Sequence, residues 1–304
     1  MEQSAAAVVV DPVPDEVRRI AAAIRERQCV LFLGAGIHSL PDPNSTYTYS
    51  DDERPRRGGE LSKHLAGLCN YAGTYSDLTN LGRVALFFEV GKSRLELIDE
   101  VRKQVQTDKR PSAAIRALAA LDFRLVATTN YDTMFEDALR AHGKRPKFCI
   151  YNPDRSFTET YSGSKPEPTV SEPFVLKIHG DIDRDHSIVI TDEDYIHFLL
   201  RTRDTGGFDP LPPVFRYELT TLTTLFIGYS LIDYNLRVLF KTLRWDIDKN
   251  VPLRTVSYAV DPTPDHLIQK VYSARHNFVH FIVQDIWTFV PMLYRELTGQ
   301  EMPP

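Results

Sequence analysis

Cys29-Val-Leu-Phe-Leu-Gly-Ala-Gly36 is an unbroken apolar run closed by two glycines, and the residues on either side decide how to read it. Just before it, Val17, Ile20, Ala21 and Ile24 recur at the spacing of one helix face. A helix feeding a strand with no polar alternation implies a strand buried on both faces, which is how a parallel sheet covered by helices reads. Further short apolar runs at Phe123–Ala127, Phe148–Tyr151, Phe174–Ile178, Ser187–Ile190, Leu225–Ile227, Val256–Val260 and Phe281–Val283 are the other expected strands. Helix-periodic stretches such as Thr133–His142 and Asp233–Trp245 are long enough to be the crossovers between them. The fold expected is α/β, a Rossmann-like doubly wound parallel sheet.

Two stretches depart from the alternation. Residues 61–110 hold no strand-like run but three helical segments, Leu61–Tyr71, Leu81–Phe88 and Leu95–Val105, and read as a helical insertion beside the sheet. Residues 38–60 are polar, rich in Pro, Ser, Asp and Arg, and read as a loop long enough to serve function. Residues 162–173 read as a surface loop.

Composition narrows the partners. The 304 residues carry 36 Lys and Arg against 41 Asp and Glu, a formal charge of -5, which argues against a nucleic-acid backbone as the main ligand. The three cysteines, Cys29, Cys69 and Cys149, offer no CxxC pair, zinc ribbon or even disulfide framework, so a reducing, cytoplasmic setting is expected. The apolar stretch Ala5–Val10 follows Glu2 and ends at Asp11-Pro12, so it is not read as a secretory signal. No apolar run approaches the roughly 18 residues of a membrane span.

In open α/β sheets, ligands bind beyond the carboxyl ends of the strands. Here those ends read Gly34-Ala-Gly36, Thr128-Thr-Asn-Tyr-Asp132, His179-Gly-Asp181, Gly228-Tyr-Ser230 and Asp261-Pro262. Each has two readings. Gly34 and Gly36 let a backbone approach a phosphate, or simply make a tight turn, since Ser39 replaces the third glycine of a dinucleotide fingerprint. Asn130 and Asp132 face a ligand or cap the next helix, whose Thr133-x-x-Glu136 reads as a capping box. His179 is a base or an ordinary strand-end histidine. Gly228, Ser230 and Asp261 line a groove or begin turns. The acidic cluster Asp192-Glu-Asp194 reads as a helix start after Thr191, not a metal site.

As an ordered set, Gly34-Ala-Gly-Ile37, Thr128-Thr-Asn-Tyr-Asp132, Lys177-Ile-His-Gly180 and Gly228-Tyr-Ser-Leu231 resemble the sirtuin family. The resemblance is closer to its prokaryotic branch in anti-phage defence, and it implies a single NAD-binding domain over residues 15–297. A core of about 15–37 and 112–290 would carry an insertion of about 38–110. It further implies that Gly34, Ala35 and Gly36 hold the pyrophosphate of NAD, that Asn130 and Asp132 face the nicotinamide ribose, and that Thr129 is among the NAD-binding residues. By the same likeness His179 is the base, Gly228 and Ser230 line the dinucleotide groove, and Asp261 stands near the adenosine ribose.

The chain also departs from that family. No cysteine occurs in residues 181–227, where deacylating sirtuins carry a zinc ribbon, so no zinc module is expected. An extra histidine, His38, precedes Ser39. The implied activity is therefore NAD+ hydrolysis to ADP-ribose and nicotinamide, with NAD as substrate and no metal. An NAD-dependent deacylase or ADP-ribosyltransferase and a non-catalytic nucleotide-binding assembly module stand as alternatives. Because an unrestrained NADase is toxic, control by self-assembly into a homo-oligomer or by a separate chain is expected. By family analogy that chain is a HerA-type ATPase or a short Argonaute. In the expected mechanism His179 titrates near its ordinary value of roughly 6.5.

Overall fold

The computed structural model describes residues 13–151, 167–201, 213–231, 256–273 and 279–304. Helix α1 (Asp15–Arg25) starts after Pro14, carries Asp15 and Glu16 in its first turn and Arg25 in its last, and buries the predicted stripe Val17, Ile20, Ala21 and Ile24. A left-handed Arg27, φ 60°, then turns the chain into strand β1 (Cys29–Leu33).

Six more strands follow among the described residues: β2 (Leu125–Thr128), β3 (Lys147–Ile150), β4 (Phe174–Lys177), β5 (Thr223–Ile227), β6 (Ser257–Val260) and β7 (Val279–Ile282). They form one sheet in the order β3-β4-β2-β1-β5-β6-β7, and every neighbouring pair is parallel. The chain builds outward from β1 on one side, then returns to build on the other, so the order reverses between β1 and β5. This is the doubly wound, Rossmann-like sheet expected from the sequence.

No residue of β1 is more than 2% exposed, and its side chains alternate between two cores. Cys29, Leu31 and Leu33 join one core with α1, α6 (Ala113–Ala120), α7 (Met134–Ala141) and α11 (Ile286–Thr298). Val30 and Phe32 join the other, against α8 (Asp192–Arg201), α9 (Pro213–Thr221) and α10 (His266–Ser273). Burial on both faces is why the strand shows no polar alternation.

Residues 58–105 form the helical insertion as α2 (Gly58–Leu68), α3 (Tyr75–Leu78), α4 (Leu81–Gly91) and α5 (Arg94–Val105). These helices share a third core with Tyr131, Ile182, Ile188 and Ile190. Among the described residues no helix is long and apolar enough to cross a membrane.

One predicted strand is absent. Ser187–Ile190 forms the end of a short 3-10 turn and an irregular extension in place of a strand. Its backbone is satisfied elsewhere, because the Val189 amide donates to the His179 carbonyl and the Tyr131 hydroxyl donates to the Val189 carbonyl. Its apolar side chains fill the cores under the insertion and against β4. The acidic cluster does open a helix: the Thr191 amide donates to Asp194 Oδ2 and the Asp194 amide to Thr191 Oγ1, a reciprocal cap. The expected crossover Asp233–Trp245 and much of the loop at 162–173 lie outside the described residues.

Candidate active site

Strand register brings the predicted residues together. Leu33 lies beside Thr128 and Ile227, Thr128 beside Lys177, and Ile227 beside Val260, so five strands end on one line. Above that line a cleft of about 740 Å3 opens between the strand ends and the insertion. Ala35, Gly36, Thr129, Asn130, Asp132, His179, Gly228, Ser230 and Asp261 all line it. Gly34 does not.

The glycines are required first by the protein itself. A Cβ on Gly34 would lie 2.5 Å from the Gly228 carbonyl oxygen, and one on Gly36 would lie 2.8 Å from Gly228 Cα. Gly228 has φ +71°, and a Cβ there would meet the Ile37 nitrogen at 2.2 Å. The turns after β1 and β5 thus touch backbone to backbone, which only glycine permits. Three of the amides predicted to face phosphate, or next to them, are already engaged: Gly34 donates to Ile227, Gly36 to Gly228 and Ile37 to Gly34. Within Gly34-Ala-Gly36, only the Ala35 amide is free of a backbone carbonyl among the described residues.

Across the sheet the site loop is fixed by charge. Lys177, wholly buried, pairs with Glu136 Oε1 at 2.8 Å and Asp181 Oδ2 at 2.9 Å, and donates to the carbonyls of Tyr131 at 3.2 Å and Asp132 at 2.6 Å. Burial opposes the Lys177 charge, but Glu136, Asp181 and Asp132 outweigh it and leave its pKa raised. Burial likewise favours a neutral Asp132, yet His38 and then Lys177 overcome it and lower its pKa. Glu136 is therefore an ion-pair partner, not half of a capping box; Thr133 Oγ1 donates instead to Asp137 Oδ2. Asp132 caps α7 itself, taking the Met134 amide on Oδ1 at 3.0 Å, while its Oδ2 lies 3.1 Å from His38 Nε2.

Asn130 sits at the boundary of cleft and interior, half-buried, with its backbone amide donating to Thr128 Oγ1 and its side-chain Oδ1 buried without a partner among the described residues. Thr129 Oγ1 accepts the hydroxyl of Tyr229. His179 is 7% exposed, its ring set edge-on to Tyr195 and Phe198 at centroid distances of 5.1 and 5.8 Å. No hydrogen bond holds that ring among the described residues, and burial pushes its pKa down to about 3. The expectation of an ordinary histidine value is therefore corrected: with no carboxylate beside it among the described residues, desolvation leaves His179 neutral. Ser230 is exposed on the rim, and Asp261 both lines the cleft and starts a turn by accepting the Thr263 amide.

Several lining residues were not anticipated. Asp285, Ile286 and Trp287 enter from the start of α11, and the Trp287 indole donates to the Ser39 carbonyl at 2.9 Å while its ring stacks on Tyr47. The loop at 38–60 is therefore anchored, and its only clue was the aromatic pair Tyr47 and Tyr49 in an otherwise polar stretch. Arg56 and Arg57 form a basic wall on the insertion side. Gln106 ties the insertion to the site loop, its Oε1 accepting the Thr133 amide and its Nε2 donating to Thr133 Oγ1. No cluster of three or more metal-ligating side chains occurs among the described residues.

The SIR2-like domain family matches residues 124–281, from the start of β2 to β7. The chain is 26% identical over 234 residues to an NAD(+) hydrolase ThsA of Enterococcus faecium, an alignment covering 77% of this chain and 44% of that protein. It is 23% identical over 251 residues to Defense-associated sirtuin 2 of Bacillus subtilis, covering 82% of this chain and 22% of that one. A third relative, an NAD(+) hydrolase ThsA of Acinetobacter baumannii, is 26% identical over 236 residues, covering 77% and 43% of the two chains. The chain thus spans less than half the length of these curated relatives.

Proposed function

The chain belongs to the SIR2-like domain family, and from that premise we propose that it is an NAD+ glycohydrolase acting as a regulated effector of anti-phage defence. The observation that carries this reading is the meeting of Asn130, Asp132 and His179 in one cleft at the strand ends. Its volume of about 740 Å3 lies within the ~300–1,000 Å3 of small-molecule and cofactor sites. The names of the ThsA relatives support the same substrate. We further propose that residues 15–297 act as one NAD-binding domain.

The bond between C1′ of the ribose and the nicotinamide nitrogen breaks with its electron pair leaving on nicotinamide, which departs neutral. A water adds at C1′ and loses a proton, giving ADP-ribose, nicotinamide and H+. The protein's task is to stabilise an oxocarbenium-like sugar and position that water. Asn130 holds the water or the ribose at C1′. His179, neutral above about pH 3, accepts a hydrogen bond from a ribose hydroxyl across the working range. Asp132, with both oxygens turned to protein partners, orients the loop that carries Asn130. Thr129 lines the same cleft and contacts NAD. The Ala35 amide meets the pyrophosphate, with Gly34 shaping that turn from beneath and Gly36, which has no side chain, leaving room for the phosphates. Gly228 and Ser230 line the groove, and Asp261 receives the adenosine ribose. No cysteine lies in residues 181–227 to build the zinc ribbon of a deacylase.

Such an activity needs restraint in its host, which supports control by homo-oligomer assembly or by a separate activating chain. The test is nicotinamide release from NAD, measured with and without products of neighbouring genes. Asn130→Ala and His179→Ala are expected to lower turnover by about 100-fold or more. Wild-type turnover in both would overturn the site. Turnover that appears only with an acyl-lysine peptide would favour the deacylase, and tight NAD binding without turnover would favour a non-catalytic module.

A further inference from the structure

The extra histidine of the first glycine motif has no place in the mechanism above, yet it is among the most enclosed polar side chains of the molecule. His38 is 1% exposed, and its Nε2 lies 3.1 Å from Asp132 Oδ2. A carboxylate oxygen only accepts, so the hydrogen is on Nε2 and His38 donates it. The same edge of the ring faces the side-chain amide of Asn130, with Nε2 3.5 Å from Nδ2. Asn130 Oδ1 is buried without a partner, so among the described residues no other side chain fixes that amide. His38 and Asn130 also share the wall of a small cavity of about 10 Å3 beside Thr128 and Glu136, about the space of a single water.

We propose that His38 is a positioning residue for Asn130. Asp132 fixes the tautomer and tilt of the His38 ring, and the ring in turn sets the rotamer of Asn130 and which end of its amide meets C1′ of the substrate. A hydrogen on Nε2 repels the NH2 end that faces it at 3.5 Å and attracts the amide oxygen, which has no partner among the described residues, so turning the amide over satisfies both groups and the ring distinguishes its two ends. Asp132 is itself held by the Met134 amide, and its carbonyl by Lys177. The order of support therefore runs from Lys177 and α7 to Asp132, to His38, to Asn130. Its importance for turnover rests on the hydrolase reading; the geometric claim does not.

The test uses the full chain with three substitutions at one position. In His38→Gln the side-chain nitrogen reaches the place of Nε2, so the bond to Asp132 is kept. In His38→Leu it is lost. In His38→Asn the amide falls short, at the place of Nδ1, which fills space without that bond and serves if the leucine variant does not fold. With NAD as substrate, His38→Leu and His38→Asn are expected to lower kcat by about 10- to 100-fold with KM within about threefold, as for a misplaced catalytic group, while His38→Gln recovers turnover to within about threefold. Loss in KM alone, or equal loss in all three, would overturn the proposal.

The second readout does not need turnover. The side-chain amide resonances of Asn130, identified by their disappearance in Asn130→Asp, should move in His38→Leu or His38→Asn and return in His38→Gln. Unchanged resonances in the leucine and asparagine variants overturn the positioning role even if the wild type hydrolyses NAD. Shifted resonances in the leucine and asparagine variants, with a wild type that releases no nicotinamide, would leave the role standing and remove the hydrolase reading instead.

Discussion

Two corners of the cleft floor solve the same problem by opposite means. At β1 and β5 the turns come into contact because Gly34, Gly36 and Gly228 have no side chains, and backbone hydrogen bonds join them. At β2 and β4 the loop is held by a buried lysine, three carboxylates and a histidine. The first corner excludes atoms and the second pairs charges. The glycine corner tolerates no addition; the charged corner tolerates no removal.

The largest effect is expected where one charge of the second corner is deleted. Lys177→Met leaves Glu136 and Asp181 buried without their cation, and should cost about 3–5 kcal/mol in urea unfolding. A loss below about 1 kcal/mol would mean the two acids find other partners, and the corner is not held by pairing. Gly228→Ala probes the first corner and should cost about 2–4 kcal/mol, from the left-handed backbone and the forced contact with Ile37. Gly143→Ala is its control, with φ +73° but nothing within 4 Å, and should cost only about 1 kcal/mol. Equal losses at the two glycines would show that conformation, not close approach, is what counts.

Acid separates the corners, since only the second titrates. His179, beside it, has a folded pKa of about 3 against an ordinary 6.5, so between those values the unfolded chain binds a proton that the native chain does not. Its contribution is fully present above pH 6.5 and is lost as pH falls toward 3. Asp132, with its pKa lowered, adds a further loss at pH values below the ordinary carboxylate range. The slope should reach about 1.4 kcal/mol per pH unit for each proton, and His179→Gln should abolish the upper part of it. An unchanged slope in that variant would place the titrating group elsewhere. The smallest effect is expected from Tyr229→Phe, which removes the hydroxyl bond to Thr129 between the corners, at about 1 kcal/mol in the same unfolding measurement.

The sheet was legible because burial on both faces leaves an uninterrupted apolar run, as at Cys29–Leu33, and helix stripes such as Val17 to Ile24 are regular. Ser187–Ile190 has the same composition but pairs its backbone with the site loop, a long-range choice that no local pattern records. The line of strand ends was legible for a related reason: small and ionisable residues interrupt apolar runs at one place in each. What was missed is the support beneath it. Lys177, inside the run Phe174 to Ile178, was the available signal, because a lysine is almost never fully buried unless paired. Its partner Glu136 has an equally plausible local reading as a helix cap, and only the folded chain distinguishes the two.

The central position of β1 also bears on how the chain is made. Its two neighbours, β2 and β5, lie roughly one hundred and two hundred residues downstream. At a synthesis rate of about 5–20 residues per second, the second edge of this apolar strand waits about 10–40 s for the residues that will pair with it. During that time an apolar strand that the finished sheet buries on both faces is a template without its complement, and its open edge can pair with another copy.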